Sequence, residues 1–213
     1  MTGAGPEAPD RRAQILQAAA RALSARGLQA LSFETVAGEA GLSRQLVRYY
    51  YADLDALIVE LCDHLAAGYR EALVAGIAEI RPVERLDFFL DFFFDLAEGR
   101  PMPGDLQAYD GMIAYAVGHE PMRERMRAQY RVLGQVMSHE LAIAHPRLSH
   151  AACEEISFLF VSMMHAHWSF VASLGYSRAH GRLARRAMER LIRAYLDEAE
   201  GTPPAMARPW ALD

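Results

Sequence analysis

The sequence has no lysine: all 22 of its basic residues are arginine. No local chemistry requires that everywhere, so we read it as coding bias toward GC-rich codons. It has two cysteines, Cys62 and Cys153, too few for a disulfide framework or a zinc quartet. Each falls inside an apparent helix, where an idle, buried thiol is expected. No alternating β-branched run occurs, and no Asn-Gly or Asp-Gly hairpin lies between strands. No apolar run reaches the ~18 residues of a membrane span, and residues 1–10 lack the basic flank and apolar segment of a secretory signal. A soluble, cytoplasmic protein without a membrane partner is therefore expected. Ser149, Ser157 and Ser162 have no Gly-x-Ser-x-Gly turn around them, and no phosphate-binding glycine loop exists. We expect no catalytic residue, no metal ligand, no cofactor and no enzyme.

What is present is apolar and helical. Of 213 residues, 52% are hydrophobic and 23% charged, enough for a sizeable core in one large or two small domains. The net charge of −5 is uneven: residues 1–52 carry six arginines against four acids, and residues 53–213 sixteen against twenty-three. The basic end is local, which suits a protein that touches phosphate with its first fifty residues only.

Apolar residues recur at three-and-four spacing throughout, which predicts an all-α fold of nine helices in two domains. A first helix runs from Asp10 to Arg26 and stops at Gly27. Ser32 caps a second, stopped by Gly41, and Ser43 caps a third. Asp53 caps a long fourth helix reaching about Ile80, with Pro82 closing it. Further helices are expected near 83–98, 105–118, 121–144, 149–174 and 178–200, separated by glycine and proline breaks. The domain reading is a flexible N-terminus over 1–9, a three-helix helix-turn-helix domain over 10–52, a helical ligand-binding and dimerisation domain over 53–200, and a loose proline-rich tail over 201–213.

The strongest functional signal lies between Leu31 and Leu57. A helix enters the major groove of DNA when a second helix braces it across a short turn, here read as Ala40-Gly41-Leu42. Leu46, Val47 and Tyr50 face inward and Arg44, Gln45, Arg48 and Tyr49 outward. Arg44, Gln45 and Arg48 offer donors for guanine and adenine edges; Ser32, Thr35, Ser43, Tyr49 and Tyr50 offer hydroxyls for phosphates. The segment Gly41-Leu42-Ser43-Arg44-Gln45-Leu46-Val47-Arg48-Tyr49-Tyr50-Tyr51-Ala52-Asp53-Leu54-Asp55-Ala56-Leu57 resembles the mark of the TetR family of bacterial regulators, Gly-Val-Ser-x-x-x-Leu-Tyr-x-Tyr-Phe-x-x-Lys-Glu-x-Leu. It departs at Arg48, where the family has tyrosine, and at Leu54, where it has lysine. The resemblance thus implies one lost phosphate contact, which Arg48 is placed to replace in part. It covers roughly residues 10–60 and implies double-stranded DNA as partner and a ligand cavity in the remainder.

Beyond residue 60 the residues narrow the chemistry less. Asp87, Asp91 and Asp95 share one helix face amid five phenylalanines, and a solvated acidic face is expected rather than a metal site. His165 and His167 stand two apart, so their rings diverge by about 200° and cannot share one ion. Phe92, Phe93, Tyr109, Met112, Met137, Phe160, Met164 and Trp168 are candidates to line a pocket for a small apolar ligand. The last two helices, about 149–174 and 178–200, carry more apolar surface than one small domain needs, and we expect them to pair with a second copy as a four-helix bundle. The expected function is a repressor released from a palindromic operator by that ligand. Alternatives are a regulator whose large domain docks a partner protein, and a helical enzyme.

Overall fold

A computed structural model describes residues 10–78, 80–100, 102–104, 106–198, 205–206 and 208–211. The expected flexible segment 1–9, and residues 201–204, 207 and 212–213 of the expected loose tail, lie outside the described residues.

The described residues are helical, with no strand among them. The helices are α1 (Arg11–Arg26), α2 (Phe33–Ala40), α3 (Arg44–Tyr50), α4 (Leu54–Ile77), α5 (Arg85–Phe93), α6 (Gln107–Ala116), α7 (Glu120–Ala144), α8 (His150–Trp168) and α9 (Gly181–Asp197). Ser32, Ser43 and Asp53 cap their helices as expected, and Asp10, expected as the first residue of α1, caps it instead. Asp10 accepts from Arg12 N and Ala13 N, Ser32 from Thr35 N, Ser43 from Leu46 N, and Asp53 from Ala56 N, satisfying amides that a helix start leaves without partners. His119 does the same for α7, its Nδ1 accepting from Met122 N.

One boundary departs from expectation. The phenylalanine-rich helix α5 ends at Phe93 instead of near residue 98 because Asp95 takes a left-handed conformation at φ 57°. Leu96 N then donates to the Asp91 carbonyl at 2.8 Å and Asp95 N to Phe92 at 3.1 Å. This is the closing geometry that glycine usually supplies, and the short side chain of aspartate tolerates it.

The buried side chains form two clusters. The first joins α1, α2 and α3 to the first half of α4, to Ala108, Met112 and Ala116 of α6, and to Met122 and Met126 of α7. The core of the first three helices therefore does not close at residue 52; it continues into the following helices. The second holds Phe89, Phe92, Phe93 and Phe94 with Met137, Leu141, Ile156, Phe160, Met164, Trp168 and Met188. Tyr130 of α7 packs against both.

The acidic row of α5 is not merely solvated. Arg185 of α9, its side chain only 11% exposed, donates to Asp87 at 2.8 Å and Asp91 at 2.9 Å, and Arg178 pairs with Asp95. Of the three carboxylates that periodicity assigned to solvent, Asp87 and Asp91 thus tie α9 to α5, and Asp95 ties the turn before α9 to the residues that follow α5. Both cysteines are buried, and burial pushes the Cys62 thiol up to about 11 and raises that of Cys153, which disfavours the reactive thiolate.

The tail expected to be loose is anchored where it is described. Trp210 donates its indole N–H to Ser157 Oγ at 2.8 Å and meets Phe158 edge to face at 5.1 Å. It lies over Gly134 of α7, where any β-carbon would collide with the indole. Met206 N donates to the buried carboxylate of Glu155 at 2.6 Å. These two polar anchors and the packing of the Trp210 ring outweigh the proline-rich composition that suggested disorder.

The segment His150–Ser173, which is α8 and the π turn Ser169–Ser173 that continues it, is long and apolar enough by composition to cross a membrane. This corrects the expectation that no run reaches such a length. Its apolar side, including Ile156, Phe160 and Met164, packs into the second cluster against α7 and α9, as in the core helix of a folded domain.

Candidate nucleic-acid interface

The geometry of α2 and α3 follows from three local choices. Gly41 takes a left-handed conformation, φ 66° and ψ 31°, after Ala40. Gly41 N then donates to the Gly38 carbonyl at 3.3 Å and Leu42 N to that of Ala37 at 2.9 Å, closing α2 in a paired pattern that most side chains would strain. The turn is Gly41–Leu42–Ser43, one residue later than expected, because α2 keeps Ala40. Val36, Ala37, Ala40 and Val47 bury the contact between the two helices.

Helix α1 fixes this pair from outside. Gln14 donates from Nε2 to the Ala40 carbonyl at 2.9 Å, and Arg21 donates to Glu39 at 2.9 Å. Arg12 pairs with Glu60 at 2.9 Å and lies over the Tyr51 ring, 5.3 Å from its centroid. Tyr51 stands where the TetR mark has phenylalanine; its ring is buried, and burial pushes its hydroxyl up to about 12. Sequence reasoning missed Arg12, Gln14 and Arg21 as supports. Their partners lie far along the chain, and spacing within one helix carries no trace of such pairing.

On this support the outward face of α3 stands in solvent. Arg44, Gln45 and Arg48 are exposed, and Tyr49 is 81% exposed. Arg44 and Gln45 make no side-chain hydrogen bond among the described residues. The Arg48 guanidinium lies over the Phe33 ring at 5.7 Å, which carries it from α3 toward the start of α2. There Ser32 and Thr35 hydroxyls meet at 2.9 Å. Ser43 is exposed at the start of α3. Tyr50 is half-buried and packs against the first cluster with Tyr49 edge-on at 5.4 Å, so it is the candidate most occupied with packing.

The eight ligand-pocket candidates are placed differently. Phe92, Phe93, Met137, Phe160, Met164 and Trp168 interlock in the second cluster, Met112 lies in the first, and Tyr109 packs against the first. Phe93 stands edge to face with Phe160 at 5.8 Å, and Trp168 donates its indole N–H to the Phe93 carbonyl at 2.7 Å. A groove of roughly 590 Å³ lies elsewhere, between α4 and the start of α7, lined by Asp55, Val59, Glu60, Asp63, His119 and Arg125 among others. None of the eight lines it. At its edge His119 Nε2 is 3.6 Å from Asp55, the Tyr115 hydroxyl donates to Asp55, and the Tyr115 and His119 rings stack at 4.8 Å. Burial and the Asp55 carboxylate push the Tyr115 hydroxyl up to about 12.

A helix-turn-helix with a solvated, arginine-bearing second helix is thus in place, and residues 15–61 match the model of the bacterial regulatory proteins, tetR family. The matched segment takes in most of α1, all of α2 and α3, and the start of α4. Solved structures repeat the fold over nearly the whole length. A TetR transcription regulator from Haloarcula marismortui is 21% identical, with 87% of this chain and 98% of that one covered and a TM-score of 0.75. A TetR-family transcriptional regulator from Cytophaga hutchinsonii is 14% identical, covering 89% and 96%, with a TM-score of 0.71. A protein from Saccharomonospora viridis, described as a transcriptional regulator and solved in complex with choline, is 16% identical, covering 87% and 97%, with a TM-score of 0.72. At such identities the likeness is one of fold. No curated protein matches the chain. The match over residues 15–61 supports DNA-binding regulation and speaks for a regulator against the helical-enzyme alternative.

Proposed function

We propose that this chain is a regulator of the TetR family, a homodimeric repressor that holds a palindromic operator and releases it when a small, largely apolar ligand binds. Residues 10–52 act as the DNA-binding unit, with Arg44, Gln45 and Arg48 on base edges and Ser32, Thr35, Ser43, Tyr49 and Tyr50 on the backbone. Residues 53–200 act as the ligand-binding and dimerisation unit. The observation that carries this reading is the exposed, arginine-bearing face of α3 on a helix pair braced by α1.

The dimer reading draws on α8 and α9. Leu159 and Phe170 beyond the buried side of α8, with Leu174 and Leu183 at the approach to α9, are exposed. Ile156, Phe160, Val171 and Ile192, apolar residues of the same stretches, are buried within the chain, so the face is narrower than the apolar content of the two helices suggested. A two-fold axis through it would set two copies of α3 on half-sites about 34–36 Å apart. Phe92, Phe93, Met137, Phe160, Met164 and Trp168 would contact ligand only by parting from one another, and Tyr109 and Met112 would meet it from the side of the first cluster, which ties ligand entry to a shift of the helices that carry them.

The test is selection of an operator from random duplex DNA, followed by binding between about 50 and 200 mM salt. The selected sites should be palindromic, and the logarithm of affinity should fall with that of salt by about 0.9 per phosphate neutralised. A flat salt response, or selection that returns no consensus, would overturn the reading.

A further inference from the structure

We infer that Asp110 and the side chains gathered on it form a site for a small organic monocation, a protonated amine or quaternary ammonium, and that this is the polar anchor of the ligand invoked above. The inference rests on that ligand-responsive reading and deepens it.

Asp110 of α6 accepts from Ser169 Oγ at 2.5 Å and from Ser173, the two ends of the π turn that continues α8. His165 Nε2 stands 3.5 Å from the same carboxylate, while His165 Nδ1 and the Tyr130 hydroxyl meet at 3.0 Å. Three side chains from α8 and the π turn therefore converge on one carboxylate, with Tyr130 of α7 behind the histidine, and π turns of this kind recur at functional sites. Asp63, Asp87, Asp91 and Asp95 each meet an arginine. Asp110 meets none among the described residues; its partners are two hydroxyls and an imidazole. Burial favours the neutral imidazole at His165, although Asp110 pulls the other way. With a neutral ring, the Tyr130 hydroxyl donates to Nδ1 and the Nε2 proton points to Asp110, so every neighbour donates and none brings a full positive charge.

A half-buried carboxylate supported only by neutral donors attracts a cation more strongly than one in open water. It is also reachable: 30% of the Asp110 side chain and 26% of that of His165 remain exposed. A hard divalent metal does not suit the donor set, since such ions take six or more oxygen ligands and one carboxylate with two hydroxyls falls well short of that. An organic ammonium needs one carboxylate and apolar neighbours; on the same elements as the site, Met112 belongs to the first cluster and Trp168 and Val171 to the second.

The position also connects to the DNA head. The next residue, Gly111, lies against Leu28, between α1 and α2: a β-carbon on it would stand 3.4 Å from Leu28 Cβ. A cation drawn to Asp110 therefore acts on α6 one residue from its contact with the head.

The experiment uses the full chain at constant ionic strength, with tetramethylammonium and butylammonium as probes and tert-butanol and 1-butanol as their uncharged counterparts. Calorimetry and thermal midpoints should show at least one cation binding about tenfold or more tighter than its counterpart, the factor expected of one effective charge contact. Asp110→Asn should abolish that preference with the helical circular dichroism unchanged, and Asp110→Glu should restore part of it. If Asp110→Asn does not fold, Ser173→Ala, at an exposed position, should still change the charge preference. Equal binding of charged and uncharged probes, no binding by either cation, or a preference indifferent to both substitutions would overturn the inference. Operator binding with its steep salt dependence, measured without probe, would persist in that event; its loss would sink the regulator reading instead.

Discussion

The outer face of α3 and the interior of the α5–α8 body were both read from side-chain type on helical faces, yet they behave differently in the folded chain. On α3 the polar side chains stay outside, because a seven-residue helix offers one narrow face to its neighbours. In the body the aromatic and methionine side chains assigned to a pocket fill the space themselves. A polar interface is written in residues that avoid burial. A cavity is an absence of atoms, and an apolar side chain has the same signature whether it meets a ligand or another side chain.

That contrast ranks the substitutions. Phe160 is fully buried among Phe89, Phe93 and Phe94. Phe160→Ala should therefore cost about 3–5 kcal/mol of stability, read as a lower midpoint in urea or heat. A loss well under that range would show that the body already contains free space. Alanine at Arg44, Gln45 or Arg48 should cost about 1–3 kcal/mol of operator affinity for a base-edge contact, while leaving folding stability within about 0.5 kcal/mol. Normal operator affinity in all three would detach α3 from DNA recognition.

The smallest expected effect is on pH dependence. His165 and His167 both hold their protons less well in the folded chain than at the usual value of 6.5, chiefly through burial, with Asp110 opposing the shift at His165 and His180 adding to it at His167. Below 6.5 the unfolded chain takes up protons that the folded chain refuses, so stability is full above that value and declines as pH falls through it toward the depressed folded values. Urea midpoints measured from about pH 7 to about pH 5 should fall, and less steeply in a His165→Gln, His167→Gln chain. Equal slopes would show that these imidazoles do not carry the effect.

Legibility followed the range of the interaction. Ser32, Ser43, Asp53 and Gly41 were readable because a cap or a left-handed turn involves residues three or four apart. The end of α5 was not, because aspartate at residue 95 does what glycine ordinarily marks. The supports of the DNA head, Gln14 on the Ala40 carbonyl and Arg12 on Glu60, join residues distant in the chain, and so do Arg185 on the α5 acids and Trp210 on Ser157. The polar knot at Asp110 was invisible for the same reason: its members lie on α6, α7, α8 and the π turn, and none is unusual in its own helix.

From the sequence alone came the helix count, the capping residues, the basic bias of the first fifty residues and the outward face of α3, since each depends on local hydrogen bonding or helical period. The packing alone decided that the first core runs on past residue 52, that the candidate pocket residues interlock, that the tail is tied to α7 and α8, and that Asp110 lacks an arginine. These are properties of distances between remote residues, which helical periodicity does not specify and folding does.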